Sequence, residues 1–188
     1  MCCNRLWREW TLLCGRILND DGLSVSPASI RLIQPKDNQA VKQLVLDTLR
    51  EFGLHGAGFA GVDAELDDMY QAYDNEFSAY YVIETDGQVQ GVGGFAPLEG
   101  AAAAGIAELR KMYLSPVLRG QGMGQRLIEL CIADATDKGF KKMYLETVPA
   151  MEAAQALYQK NGFEYLSERL GDTGHHNCHV CMAKTLHG

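Results

Sequence analysis

The 188-residue chain contains no run of about 18 apolar residues, so no segment of it reads as a membrane span. Its start, MCCNRLWREWTLLCGRIL, has only a short apolar stretch from Thr11 to Cys14, too brief for the core of a secretory signal, and Arg16 follows it. Without a signal, the six cysteines (Cys2, Cys3, Cys14, Cys131, Cys178 and Cys181) are expected as reduced thiols of a cytoplasmic protein, not as a disulfide framework. Lys and Arg are missing altogether from residues 51–109, which carry 11 acidic side chains. The formal net charge is −7, and nucleic acid is not an expected partner, because neutralising its phosphates needs clustered Lys and Arg. No internal repeat is visible.

What is present suits one domain. The length is that of a single domain, and 47% hydrophobic residues supply a core that needs no metal or disulfide staple. Leu6, Trp10, Leu13 and Ile17 recur at helical spacing and predict a short amphipathic helix over residues 4–18. Such a helix either packs on the domain or, with its two Trp exposed, offers a sticky face for a second copy of the chain in a homodimer. Asn19 to Gly22 and the segment around Pro27 act as punctuation. Residues 1–28 are therefore read as an N-terminal extension and 29–188 as the main domain.

Ser29–Gln34 alternates as a strand, and Pro35 and Asp37 open a helix with its stripe at Val41, Val45, Thr48, Leu49 and Phe52. A glycine-rich loop over 53–61 leads to a shorter helix through Tyr70 and Tyr73. Asp86-Gly87 joins the apolar runs 79–84 and 89–95 as a hairpin. A strand over 108–114, a helix with its core face at Leu127, Ile128, Cys131 and Ala135, and a strand over 142–147 follow. The helix 150–160 comes after Pro149 and is closed by Asn161-Gly162; the last strands are 163–166 and 178–184. The order β-α-α-β-β-β-α-β-α-β-β implies one mixed α/β sheet.

Two stretches are candidate phosphate cradles. Gly56 to Gly61 spells G-x-G-x-x-G, but it follows a helix with no strand before it, and is read as a loop. Arg119-Gly120-Gln121-Gly122-Met123-Gly124 lies between a strand and a long helix, where successive N–H groups and the helix N-terminus make an anion site; a plain tight turn is the competing reading. It lacks the Gly-Lys-Ser/Thr ending of a P-loop.

R-x-x-G-x-G at Arg119, Gly122 and Gly124 follows the strand end MYLSP, and Ala156-Leu157-Tyr158 precedes Asn161-Gly162-Phe163 downstream. Together these motifs resemble the GCN5-related N-acetyltransferase (GNAT) superfamily, over roughly residues 29–184. The resemblance implies a mixed, mostly antiparallel sheet whose fourth and fifth strands splay apart, flanked by helices, with acetyl-CoA as co-substrate in the opening. Met112, Tyr113 and Leu114 would bond the pantetheine arm through backbone groups, and the backbone N–H near Met112 would meet the oxyanion. Arg119 to Gly124 (Arg119, Gly120, Gln121, Gly122, Met123, Gly124), with Gln125, would hold the pyrophosphate. Tyr158 would protonate the leaving thiolate, unless it is only a packing aromatic. Met151 stands where many members carry Asn. The implied activity is direct transfer of acetyl to a primary amine in a ternary complex; transfer of another acyl group and a non-catalytic acyl-CoA-binding regulator are the alternatives.

Direct attack needs a neutral amine, and Glu108 and Glu146 are the candidate bases, unless each is merely solvated or salt-bridged. Glu108 stands four residues before Met112, on the same strand face by period-2 alternation. Cys178-x-x-Cys181 beside His175, His176 and His179 has the right count for zinc, but in a strand its thiols point apart, so no metal is expected. His176 and Cys178 share a face and are candidates to line an acceptor pocket. Residues 110–128 carry Arg110, Lys111, Arg119 and Arg126 and no acid. That block is expected where polyanionic CoA docks. The acids Asp63, Glu65, Asp67, Asp68, Asp74 and Glu76 are expected to rim the groove of a cationic, amine-bearing acceptor, or simply to solubilise the surface.

Overall fold

The computed structural model describes residues 27–187 except 55 and 57, together with two short strands, Ile17–Leu18 and Ser24–Val25. Those strands pair antiparallel with each other. The helix expected over 4–18 therefore lies outside the described residues except at its last two positions, which are extended.

The main sheet has seven strands: β1 (Ser29–Leu32), β2 (Ala79–Thr85), β3 (Gln88–Pro97), β4 (Ile106–Leu114), β5 (Lys142–Thr147), β6 (Glu164–Tyr165) and β7 (Val180–Thr185). Their order across the sheet is β1-β2-β3-β4-β5-β7-β6, and every neighbouring pair is antiparallel except β4 and β5, which are parallel. Four helices cover it: α1 (Asn38–Glu51), α2 (Met69–Tyr73), α3 (Met123–Asp137) and α4 (Glu152–Lys160). Among the described residues no helix is long and apolar enough to cross a membrane.

Each face of the sheet has its own core. Val41, Val45 and Leu49 of α1 and Met69 and Tyr73 of α2 pack on Tyr80, Val82 and Val92. On the other face Leu127, Ile128 and Cys131 of α3 and Tyr158 of α4 pack on Tyr81, Phe95, Leu109, Met143 and Leu145. The alternation of Tyr80 and Val82 against Tyr81 and Ile83 feeds both cores, so β2 is buried through most of its length. Asp86 and Gly87 both adopt positive φ (50° and 76°), the hairpin turn that Asp-Gly favours. Gly94 is required: a Cβ there would overlap the Ala79 carbonyl of β2.

The short helix expected through Tyr70 and Tyr73 is α2, which Asp68 caps by accepting from the Gln71 N–H; two 3-10 turns, Ala60–Val62 and Ala64–Asp67, precede it. Residues 175–179 are loop, not strand, and β7 starts at Val180.

Two irregularities in β4 shape everything that follows. First, Val92 pairs with Tyr113 and Gly94 with Arg110, so Gly93 alone stands against Lys111 and Met112. This is a β-bulge, with Lys111 in the left-handed region at φ 45°. Two successive side chains, Arg110 and Lys111, consequently reach toward the same acidic turn. Period-2 alternation placed Glu108 and Met112 on one face; the bulge puts them on opposite faces, Met112 joining Leu109 in the α3-side core. Second, β4 and β5 pair only at Ile106–Lys142, Ala107–Met143 and Glu108–Tyr144. Beyond Glu108 they separate, as the resemblance implied.

Candidate active site

The splay opens a cavity of about 640 Å3 between the end of β4, the loop before α3, and α4. Met112, Tyr113, Leu114, Arg119, Gly120, Gly122, Gly124 and Gln125 all line it. Gly120 and Gly122 sit at φ 75° and 77°, and a Cβ on either meets nothing within 4 Å. Gly122 is the N-cap of the 15-residue α3 and supplies no side-chain cap. The first-turn N–H groups of α3 thus begin at a bare glycine turn, a seat for an anionic group. Leu114, Ala154 and Leu157 give the walls an apolar stretch beside that seat. An aliphatic arm ending in a pyrophosphate fits this combination of donors and surface.

Not every expected residue of the loop faces the cavity with its side chain. Met123 is buried in the α3-side core, and the Gln121 amide donates to the Val117 carbonyl. Gln125 exchanges hydrogen bonds with Asn161, tying α3 to the end of α4. Arg119 is held by Glu51 at the end of α1, through two hydrogen bonds of 2.6 and 2.8 Å, and its guanidinium lies 5.9 Å from the centre of the Phe52 ring.

A second, smaller pocket of about 60 Å3 lies behind the same strand ends. Glu108, Arg110, Lys111, Glu146, Thr147, His175 and Cys178 supply its polar lining. Met112, Tyr113, Met151 and Tyr158 line both spaces and form the junction between them. Tyr158 is buried against Phe163, and its hydroxyl has no hydrogen-bond partner among the described residues. Burial pushes its phenol up to about 12, so it holds its proton at neutral pH. Burial also pushes the Cys178 thiol up to about 11, which keeps it protonated and unreactive.

The two candidate bases differ. Glu108 is buried, with its carboxylate accepting from Arg110 Nε at 2.6 Å; burial lifts its carboxyl above the usual range against the pull of Arg110. Glu146 accepts from the Tyr144 hydroxyl (2.6 Å) and the Thr173 hydroxyl (2.9 Å) and forms an ion pair with Arg169 Nε (3.1 Å). Arg169 also donates to the carbonyls of His175 and Cys178, so Glu146 anchors the loop between β6 and β7. His175, not His176, shares the pocket with Cys178: His176 sits beside Arg169 at 3.3 Å, outside the lining.

The charged blocks of the sequence meet each other. Lys111 Nζ lies 2.5 Å from Asp63 and also contacts Glu65, while Arg110 pairs with Glu108 and approaches Glu65 at 3.8 Å. Arg110 and Lys111 are therefore turned away from the larger cavity, and of the four basic residues in 110–128 only Arg119 lines it. Asp67 pairs with Lys42, and Asp68 receives Asn38. Burial raises the Asp63 carboxyl, but the hydrogen bond from His175 and the charge of Lys111 outweigh it and hold the group below its ordinary range. Sequence reading missed Asp63, Lys111, His175 and Arg169 as a connected group; the pairing of histidines in the tail was the one visible signal.

The description "Acetyltransferase (GNAT) family" belongs to a family model that matches residues 42–163. The chain is 39% identical over 166 residues to the uncharacterized N-acetyltransferase YjgM of Escherichia coli (strain K12), covering 87% of this chain and 99% of that protein. It is 30% identical over 128 residues to N-acetyltransferase family 8 member 2 of Rattus norvegicus, covering 68% of this chain and 53% of that one. Among solved structures, a GNAT-family acetyltransferase from Staphylococcus aureus Mu50 has a TM-score of 0.71 at 16% identity, with 86% of this chain and 100% of that chain covered. Salmonella typhimurium yncA, solved with its cofactor acetyl-CoA, has a TM-score of 0.68 at 20% identity, with coverage of 87% and 96%. The likeness to these two structures is one of fold, while the family model and the Escherichia coli relative reach further: the chain belongs to the GNAT family of acetyltransferases.

Proposed function

We propose that this protein transfers an acetyl group from acetyl-CoA to a primary amine by direct attack in a ternary complex. The observation that carries the reading is the junction of the two spaces at Met112, Tyr113, Met151 and Tyr158. The larger space has the apolar wall and the anion seat for acetyl-CoA, and the smaller one has a polar lining for the end of an amine. Gly120, Gly122, Gly124 and the α3 N-terminus hold the pyrophosphate, and the backbone at Met112 to Leu114 holds the arm. Lys111 and Met112 drop out of the β3 ladder at the bulge, and the Met112 N–H is the donor for the oxyanion. Tyr158, protonated and without a hydrogen-bond partner among the described residues, gives its proton to the departing thiolate. The amine's proton goes to a base in the smaller pocket. Glu146 already accepts from two hydroxyls and is paired with Arg169, which leaves Glu108 as the stronger of the two carboxylate candidates.

The test is thiol release from acetyl-CoA across a panel of primary amines. Tyr158→Phe should lose about a hundredfold or more in kcat while binding acetyl-CoA as before. Unchanged turnover in Tyr158→Phe refutes the acid role. Tight acetyl-CoA binding with no amine turned over by the wild type refutes the enzyme reading and identifies an acyl-CoA-binding regulator.

A further inference from the structure

The smaller pocket holds a third base, one that neither carboxylate candidate accounts for. His175 Nε2 lies 3.0 Å from Asp63 Oδ2, and the ring is largely buried in the pocket wall. With Nε2–H donated to Asp63, the lone pair is left on Nδ1. Asp63 is itself fixed by Lys111 at 2.5 Å, and the His175 backbone is fixed by Arg169, which is anchored on Glu146. The imidazole is thus oriented from both ends. We infer that His175, oriented by Asp63, takes the proton from the acceptor amine, and that Glu108 does not; this rests on the acetyl-transfer reading above.

The electrostatics separate the two bases. A proton on Glu108 would destroy its pair with Arg110, leaving a guanidinium whose side chain is only 19% exposed beside a neutral acid. A proton on His175 does the reverse: the new imidazolium faces the Asp63 carboxylate, and an ion pair replaces a hydrogen bond from a neutral ring. The charged and titratable groups around the ring are Asp63 from the turn before α2, Glu108, Arg110, Lys111 and Tyr113 from β4, Glu146 from β5, Tyr158 from α4, and Arg169 and Cys178 from its own loop.

The step balances as follows. His175 Nδ1 removes one proton from the acceptor's ammonium. The neutral nitrogen then forms the C–N bond, and the carbonyl pair moves to oxygen. As that pair returns, the C–S bond breaks and Tyr158 protonates the sulfur; the second proton of the acylated nitrogen restores the Tyr158 hydroxyl. The products are the acetamide, CoA thiol and one proton, which His175 releases to water.

The experiment is the pH profile of kcat at saturating amine, from about pH 5 to 9, for the wild type, His175→Gln and Glu108→Gln. Acetyl-CoA affinity within about twofold of wild type shows that a variant has kept its site. The wild type should show a one-proton acid limb within that pH range. His175→Gln should lose about a hundredfold in kcat together with that limb, while Glu108→Gln keeps the limb. A flat wild-type profile overturns the inference without reference to any variant. So does a limb that survives in His175→Gln or vanishes in Glu108→Gln. An active wild type with either of these results leaves acetyl transfer standing and removes only the role of His175.

Discussion

Lys111 is the residue on which most of the site's charge converges, and replacing it with Met isolates that role while keeping the length of the side chain. The Lys111 side chain is 2% exposed, and its partners Asp63 and Glu65 are 23% and 22% exposed. Removing one member of a fully buried ion pair typically destabilises by about 3–5 kcal/mol, because the remaining charge is stranded. Here two carboxylates are left, but both keep some access to water and Arg110 remains near Glu65, so the low end, about 3 kcal/mol, is expected. For a domain of this length that corresponds to a fall in Tm of about 6–12 °C. The dependence on pH carries a definite sign. Asp63 is held below its ordinary range in the folded protein, so its stabilising contribution is present above the unfolded carboxylate range and is lost as pH falls through the folded value. The difference between wild type and Lys111→Met should therefore hold from about pH 7 to about pH 5 and narrow below that, as pH falls through the unfolded and then the folded range of Asp63 and protonated carboxyls no longer need a cation. Urea unfolding at several pH values reads both quantities. A loss below about 1 kcal/mol at neutral pH, or a difference that stays constant down to about pH 2, would refute the reasoning.

Gly94→Ala drives a methyl into the Ala79 carbonyl, and should destabilise by about 2 kcal/mol or more in thermal unfolding. Arg119→Gln breaks a half-exposed pair with Glu51 and should change stability by less than about 1 kcal/mol, yet weaken acetyl-CoA binding about tenfold in titration calorimetry, since Arg119 lines the larger cavity. With the Tyr158 phenol up at about 12, kcat should show no alkaline loss from that group below about pH 11; a Tyr158-dependent limb nearer neutrality would contradict its burial.

The sequence was legible where local chemistry decides the backbone. Asp86-Gly87 announces a hairpin because both residues accept positive φ, and the glycines at 120 and 122 announce the turn into α3 for the same reason. The stripes of α1 and α3 were readable from their period. The bulge at Lys111 was not, because the residue in the left-handed conformation is a lysine held there by carboxylates 46 and 48 positions away. That single added residue reverses the facing expected for Met112 relative to Glu108, and it turns a lysine expected at the CoA site toward the acidic turn. Residues 178 and 179 were read as strand because they run straight into the apolar VCMAKT of β7, and only the Arg169–Glu146 anchor shows where the strand stops. Charge counted along the chain suggested two separate fields; folded, much of the acidic and basic blocks cancels across β4.

The three-pair ladder between β4 and β5 has a mechanical meaning. By topology there is one sheet of seven strands; by stiffness there are two plates, one of four strands and one of three, joined at a corner. At the wide end the plates are linked by side-chain packing around Leu109, Leu145 and Tyr158, with no rung of backbone between them. A molecule lying in that gap is gripped from both sides, and so becomes a strut at the one place where the protein has built none of its own.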